Sequence, residues 1–177
     1  RTARWSGASG RRVSTTPPAR TLILMRHGKS AYPEGVYDHE RPLNDRGLRQ
    51  AALAGRWMAD DGLEVDIALC STSTRTRMTF EQTGVDAPVE YVSDLYGGTP
   101  AEIFETIRLH VPEDASTVLV VGHFPGMPEA ALSLDADGDI DRFPTSAYAV
   151  VSLSVPWDRV GLDLDGHARL VAFQVPR

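Results

Sequence analysis

Three short runs in this sequence are apolar almost without interruption: residues 21–25 (TLILM), 65–70 (VDIALC) and 117–121 (TVLVV). A strand with one face in water alternates apolar and polar side chains, so continuous runs of this length belong to strands covered on both faces, as in a parallel sheet. A fourth run, 89–92 (VEYV), also reads as a strand. Parallel strands need crossover connections, and helical patterns fall between the runs. Residues 44–62 open with Asn44 as N-cap and Asp45 in the first turn, carry Leu48, Ala51, Ala52 and Gly55 as a close-packing stripe, and stop at Gly62. Residues 74–84 form a shorter helix. Residues 99–110 have Thr99 as cap, Pro100 at the first position and Glu102 inside the first turn, and 125–134 give a weaker helical pattern. Near the end, 146–155 and 168–175 read as a strand pair joined by a turn-rich loop. The predicted fold is α/β: a three-layer αβα sandwich with a mostly parallel central sheet and right-handed crossovers, with residues 21–177 as one domain.

Charge narrows the possible ligands. Residues 1–20 hold five arginines and no acid, while the rest of the chain carries 13 basic against 24 acidic residues, a net of −11. Such a body is a poor general surface for nucleic acid, so a bound anion needs a local cluster of Arg and His. Residues 1–20 are rich in Ser, Thr, Gly and Pro without apolar periodicity and are expected to be disordered. They lack the apolar stretch of a secretory signal and share an Arg- and Ser-rich, acid-free character with transit peptides. Because the chain does not begin with Met, a vector-derived remnant or an extended start is the expected explanation. One lysine, Lys29, against 17 arginines hints at a high-GC bacterial genome. No apolar run approaches the ~18 residues of a membrane span. The single cysteine, Cys70, lies in an apolar run, reads as a core residue, and fits a reducing, cytoplasmic setting.

Ligands of open α/β sheets bind beyond the carboxyl ends of the strands. The first run leads into Arg26, His27 and Gly28, and the run at 117–121 into Gly122 and His123. The strand at 65–70 leads into STSTRTR, which brings Arg75 and Arg77 to the same edge. Two imidazoles and two or three guanidinium groups at one edge match a phosphoryl group, whose oxygens accept bidentate hydrogen bonds from Arg. Gly28 is expected to let the backbone turn sharply and approach the anion. His27 can attack phosphorus if one ring nitrogen is unprotonated. Neighbouring arginines favour that neutral ring by repulsion. A hydrogen bond from its other nitrogen to a backbone carbonyl would fix the tautomer. Transfer to His27 followed by hydrolysis splits the reaction in two, with Arg26, Arg75 and His123 stabilising charge on the equatorial oxygens. Each piece alone has a plainer reading: a strand-terminal His is often a hydrogen-bonded loop residue, and Arg77 alone a solvated helix face.

Together these motifs resemble the histidine phosphatase superfamily, also called phosphoglycerate mutase-like. The resemblance rests on LMRHGKS, ERPLNDRG, CSTSTRTRMT and VVGHFPG, and spans about residues 21–155. It implies His27 as nucleophile and Arg26, Arg75 and His123 as the rest of the phosphate pocket, with Gly28 beside them. Arg77 lies two residues past the family's arginine and is not implied. The compact spacing and RFPTSAYAVVSL near the end resemble SixA-type protein phosphohistidine phosphatases; members acting on small metabolites usually carry longer insertions over the pocket.

Two departures bear on the chemistry. One branch places a Glu shortly after a Leu-x step following the third strand, where this chain has Leu95-Tyr96-Gly97-Gly98; another places an acid directly after the second His, where this chain has Phe124. A general acid contributes about 10²–10⁴-fold, and its loss matters most for an alkoxide leaving group. Imidazole leaves as a neutral ring after protonation by water. The remaining candidates for a proton donor are Glu34, Asp38 and Asp94, each otherwise a solvated loop carboxylate. Gly28-Lys29-Ser30 resembles the end of a nucleotide-binding phosphate loop, but Ile23 stands where that motif needs Gly. No His/Cys/Asp spacing suggests a metal, and no cofactor is expected.

The expected activity is a phosphatase acting through a phosphohistidine intermediate, with protein phosphohistidine as substrate. The alternatives are a small-molecule phosphomonoesterase or mutase on the same scaffold, and an inactive phosphate-binding module. The expected partner is a phosphorylated protein or small phosphorylated substrate, with no nucleic acid or membrane. The final hairpin could pair with a second copy, though nothing demands it. Thr145 and Ser146 either line the pocket or begin a strand, and the strand is the expectation.

Overall fold

The apolar runs form the centre of one six-stranded sheet. The computed structural model describes residues 19–162 and 166–177, and its elements alternate: β1 (Arg20–Arg26), α1 (Asp45–Asp60), β2 (Ile67–Ser71), α2 (Thr74–Thr83), β3 (Val89–Val92), α3 (Pro100–His110), β4 (Thr117–Gly122), α4 (Gly126–Leu134), β5 (Tyr148–Leu153) and β6 (Ala168–Gln174). The strand order is β3-β2-β4-β1-β5-β6. The first four strands pair in parallel, and β5 and β6 add antiparallel at one edge. The expected disordered segment lies outside the described residues up to position 18, whereas Arg20 already belongs to β1.

Alternation along β1 divides the core in two. Leu22 and Leu24 join Ile103, Phe104 and Ile107 of α3 and Ala130 and Ala131 of α4 on one face. Ile23 and Met25 join Ala54 and Met58 of α1 and Phe80 of α2 on the other. This is the three-layer arrangement expected from the continuous apolar strands. Cys70 is fully buried in the second cluster, and burial pushes its thiol up to about 12, so it behaves as a core residue. Among the described residues no helix is long and apolar enough to cross a membrane.

The helix starts follow their caps. The Gly47 N–H donates to Asn44 Oδ1 at 2.9 Å, the Thr76 N–H lies 3.4 Å from Ser73 Oγ, and Thr99 and Glu102 form a reciprocal capping box. The packing stripe of α1 differs from expectation. Its buried residues are Gly47, Gln50, Ala51, Ala54, Gly55 and Met58, while Leu48 and Ala52 are half-buried. Glycines choose this face: a Cβ on Gly47 would lie 2.2 Å from the Lys29 carbonyl oxygen, and one on Gly55 would lie 1.9 Å from that of Thr83. No other residue allows such close approach of the helix to the neighbouring backbone. The strand expected from residue 146 begins at Tyr148 instead; Ser146 lies in a turn with φ 66°, and its N–H donates to the His27 carbonyl at 3.0 Å.

Candidate active site

β1 and β4 are neighbours, with Arg26 opposite Gly122 in the ladder, and the His27 N–H donates to the Gly122 carbonyl at 3.0 Å. The residues after both strands therefore emerge side by side, and the rings of His27 and His123 stand 5.2 Å apart. A pocket of about 300 Å³ opens here, lined by Arg26, His27, Asp38, Arg75, Tyr96, Gly97, His123 and Phe124. The four residues predicted to surround a phosphoryl group thus share one cavity.

His27 has a defined tautomer. Its Nδ1 is 2.7 Å from the Gly28 carbonyl oxygen, which only accepts, so Nδ1 carries the proton and Nε2 keeps its lone pair. Burial pushes the ring down to about 3, with repulsion from His123, Arg75 and Arg26 adding to it. The sequence points to the arginines as the cause; desolvation is the larger one. His123 is pushed down to about 4, again mainly by burial, and its Nε2 lies 2.9 Å from Ser71 Oγ at the end of β2.

The two arginines are fixed differently. Arg26 donates through Nη1 to the Phe143 carbonyl at 2.9 Å, and its guanidinium lies 4.9 Å from the Phe124 ring centroid. Arg75, in the first turn of α2, is almost fully buried and donates to Asp38 through Nη1 and Nη2. Asp38 Oδ2 also accepts from the Tyr96 hydroxyl at 2.6 Å, and Oδ1 from Arg41 Nε at 3.1 Å. The Tyr96 hydrogen bond and the Arg75 charge hold the Asp38 carboxyl far below the usual carboxylate range, so it is ionised at neutral pH. It reaches the pocket, but in the wrong state to donate a proton. Glu34 and Asp94 are exposed and outside the pocket lining.

Gly28 sits differently from expectation. It does not line the pocket, and its N–H donates to Thr79 Oγ1 at 2.9 Å, not to an anion. A Cβ there would lie 3.0 Å from the Gly47 carbonyl oxygen, so packing of α1 is what selects glycine. Arg77 is exposed outside the pocket, stacked 3.9 Å from the Tyr91 ring centroid, as a solvated helix-face residue. Thr145 lines an adjoining groove. Among the described residues no group of three or more His, Cys, Asp or Glu is placed to hold a metal ion.

Sequence reasoning passes over Ser71, Thr79 and Tyr96. Thr79 is legible in principle, four residues after Arg75 and so on the same helical face; its hydroxyl donates to the Arg75 carbonyl at 2.7 Å. Tyr96 stands out in the sequence only because no Glu follows it, yet it bridges to Asp38. Gly97 occupies that following position with φ 68° and nothing within 4 Å of where a Cβ would be.

The chain is similar to known proteins in sequence and in fold. The family profile of the histidine phosphatase superfamily (branch 1) matches residues 22–96. A protein of Mycobacterium tuberculosis H37Rv, Rv1276c, itself uncharacterized, is 44% identical over 162 residues, 86% of this chain and 100% of its own length. Among solved structures, a candidate phosphohistidine phosphatase SixA of Nakamurella multipartitia superposes with TM-score 0.83 at 37% identity, covering 91% of this chain and 98% of that one. The protein histidine phosphatase SixA complexed with tungstate shares the fold at TM-score 0.74 and 24% identity, covering 88% and 97%.

Proposed function

The chain belongs to the histidine phosphatase superfamily and is a phosphatase, and from that premise we propose that it dephosphorylates phosphohistidine on proteins, with His27 as its nucleophile. The observation that carries this reading is the state of the pocket's carboxylate: Asp38 is ionised, and Gly97 follows Leu95-Tyr96 where a relative with an acid would have Glu. The site offers a nucleophile without a protonated carboxyl to assist a poor leaving group.

In the first step the Nε2 lone pair of His27 forms a bond to phosphorus while the bond from phosphorus to the substrate imidazole breaks. The electron pair stays on that imidazole, which takes its proton from water. Arg26 and Arg75 neutralise charge on the transferring oxygens. His123, whose Nε2 lies 2.9 Å from Ser71 Oγ, stands across the pocket from His27 and completes the set of groups around the transferring oxygens. In the second step water attacks the phosphorylated His27, the phosphorus–Nε2 bond breaks, and inorganic phosphate leaves. The Nδ1–H bond to the Gly28 carbonyl aims Nε2 through both steps.

The test is kcat/KM on a phosphohistidine peptide and on 3-phosphoglycerate, measured in parallel, with His27→Ala as control. The expected result is a preference of about 10² or more for the phosphoramidate, the lower range of a general acid's contribution, and a variant with no turnover. Comparable activity on the ester overturns the substrate assignment, and an active His27→Ala overturns the mechanism.

A further inference from the structure

A second concavity of about 550 Å³ adjoins the phosphate pocket, and the two share Arg26 and Phe124. Lys29, Arg46 and Arg142 line it against a single acid, Asp141. The ion pairs among the described residues engage Arg20, Arg41, Arg75 and His110, so these three cations have no carboxylate partner. On a chain with 24 acids against 18 bases, three unpaired cations gathered at one groove form a local field opposite in sign to the body.

The groove is built from the backbone that shapes the pocket. Lys29 follows Gly28, and its carbonyl is packed against Gly47, the residue after Arg46. Arg142 precedes Phe143, whose carbonyl anchors Arg26. Pro128, Leu132 and Ile140 give the groove an apolar wall, and Phe124, 55% exposed, stands between it and the phosphate pocket. Beyond Arg46 and Arg142 the groove continues into a third concavity of about 360 Å³, where Asp139 joins Asp141 and the lining reaches Arg177. The phosphate pocket and this third concavity have no lining residue in common, so the three form a succession leading away from His27. A compact metabolite fills one such space; a chain segment follows all three.

We infer that this groove docks an acidic segment of the phosphorylated protein, its carboxylates meeting Lys29, Arg46 and Arg142 while the phosphoryl group enters beside His27. That the occupant is a protein rests on the reading of the substrate as a phosphoprotein. The charge complementarity rests on the groove alone.

Two labelled peptides test it, each carrying a non-hydrolysable phosphohistidine analogue, one flanked by glutamates and the other by alanines. Their binding to the whole chain is followed by fluorescence anisotropy. The glutamate peptide is expected to bind about tenfold more tightly at low salt, the advantage shrinking as ionic strength approaches about 0.5 M. In Arg46→Glu/Arg142→Glu the glutamate peptide loses that advantage while the alanine peptide binds as before. Both replaced residues are exposed, and an unchanged melting temperature reports the fold. Equal binding of the two peptides to the unmodified chain overturns the inference, as does an advantage that survives the double replacement. Because the readout is binding, a failure to turn over phosphohistidine would sink the assigned substrate without producing either of these results.

Discussion

Arg75 ends both of its terminal nitrogens on Asp38, Nη1 on the carbonyl oxygen at 2.6 Å and Nη2 on Oδ2 at 3.0 Å. The phosphate pocket thus holds its own carboxylate against the buried guanidinium, and an entering phosphoryl group competes with it. Asp38 both aims Arg75 and repels the dianion.

Replacing Asp38 with Asn removes the charge and keeps an acceptor. Inorganic phosphate is then expected to inhibit about fivefold more strongly, the effect of roughly 1 kcal/mol of exposed charge. Asp38→Ala also loses the side-chain acceptor, so kcat falls further than in the Asn variant. Product-inhibition constants and kcat for the two variants check this, and unchanged phosphate inhibition in both rules out the competition.

The depressed histidines give the protein an acid-sensitive stability. Both rings ordinarily titrate near 6.5, and burial brings them to about 3 and about 4. At high pH both states are neutral. As pH falls below the ordinary value, the unfolded chain takes up protons that the native chain refuses. Stability is therefore expected to decline between about pH 6.5 and pH 4, with a slope approaching 1.4 kcal/mol per pH unit for each ring. Urea midpoints across this range, compared with His27→Gln, should show a shallower decline in the variant. Parallel curves would mean that the native ring takes up its proton as readily as the unfolded one. By the same shifts, kcat/KM should hold level down to about pH 5 and fall below it.

Ser71 is the one side-chain hydrogen-bond partner found for His123 among the described residues. In Ser71→Ala the ring loses the bond that orients it. The expected cost is about tenfold in kcat/KM with a stability loss of about 1 kcal/mol. Ser71→Thr, which retains the hydroxyl, should recover part of the activity. Equal losses in the two variants would point to packing instead.

The Gly55 contact is a stability prediction far from the pocket. A Cβ there would lie 1.9 Å from the Thr83 carbonyl oxygen, which forces α1 and α2 apart. Gly55→Ala is expected to destabilise by about 2 kcal/mol despite the better helix propensity of alanine. A raised melting temperature would show that the helices separate at no cost.

Much of this architecture could be read from the sequence because it depends on local pattern. Unbroken apolar runs mark the strands covered on both faces, and the polar residue where each run ends is a residue at the sheet's carboxyl edge. That places His27 and His123 without knowledge of any contact. STSTRTR brings both Arg75 and Arg77 to that edge, and only the family resemblance parts them; in the structure the Ser73 cap starts α2 with Arg75 in its first turn. The pairing of Asp38 with Tyr96 joins residues 58 apart, each in or beside a short 3-10 turn, and no periodicity records it. The reason for Gly28 was equally hidden: its neighbour Gly47 belongs to a helix whose packing face the apolar pattern placed one residue off. Close backbone approach leaves no hydrophobic signature.

One inter-strand step sets how far His27 stands from His123. The Arg26–Gly122 register and the hydrogen bond from His27 to Gly122 belong to the parallel ladder itself, and no loop closes to bring the rings together. The backbones that carry the two histidines are thus held by the sheet, while Asp38, Tyr96 and Gly97, which complete the pocket, come from outside it.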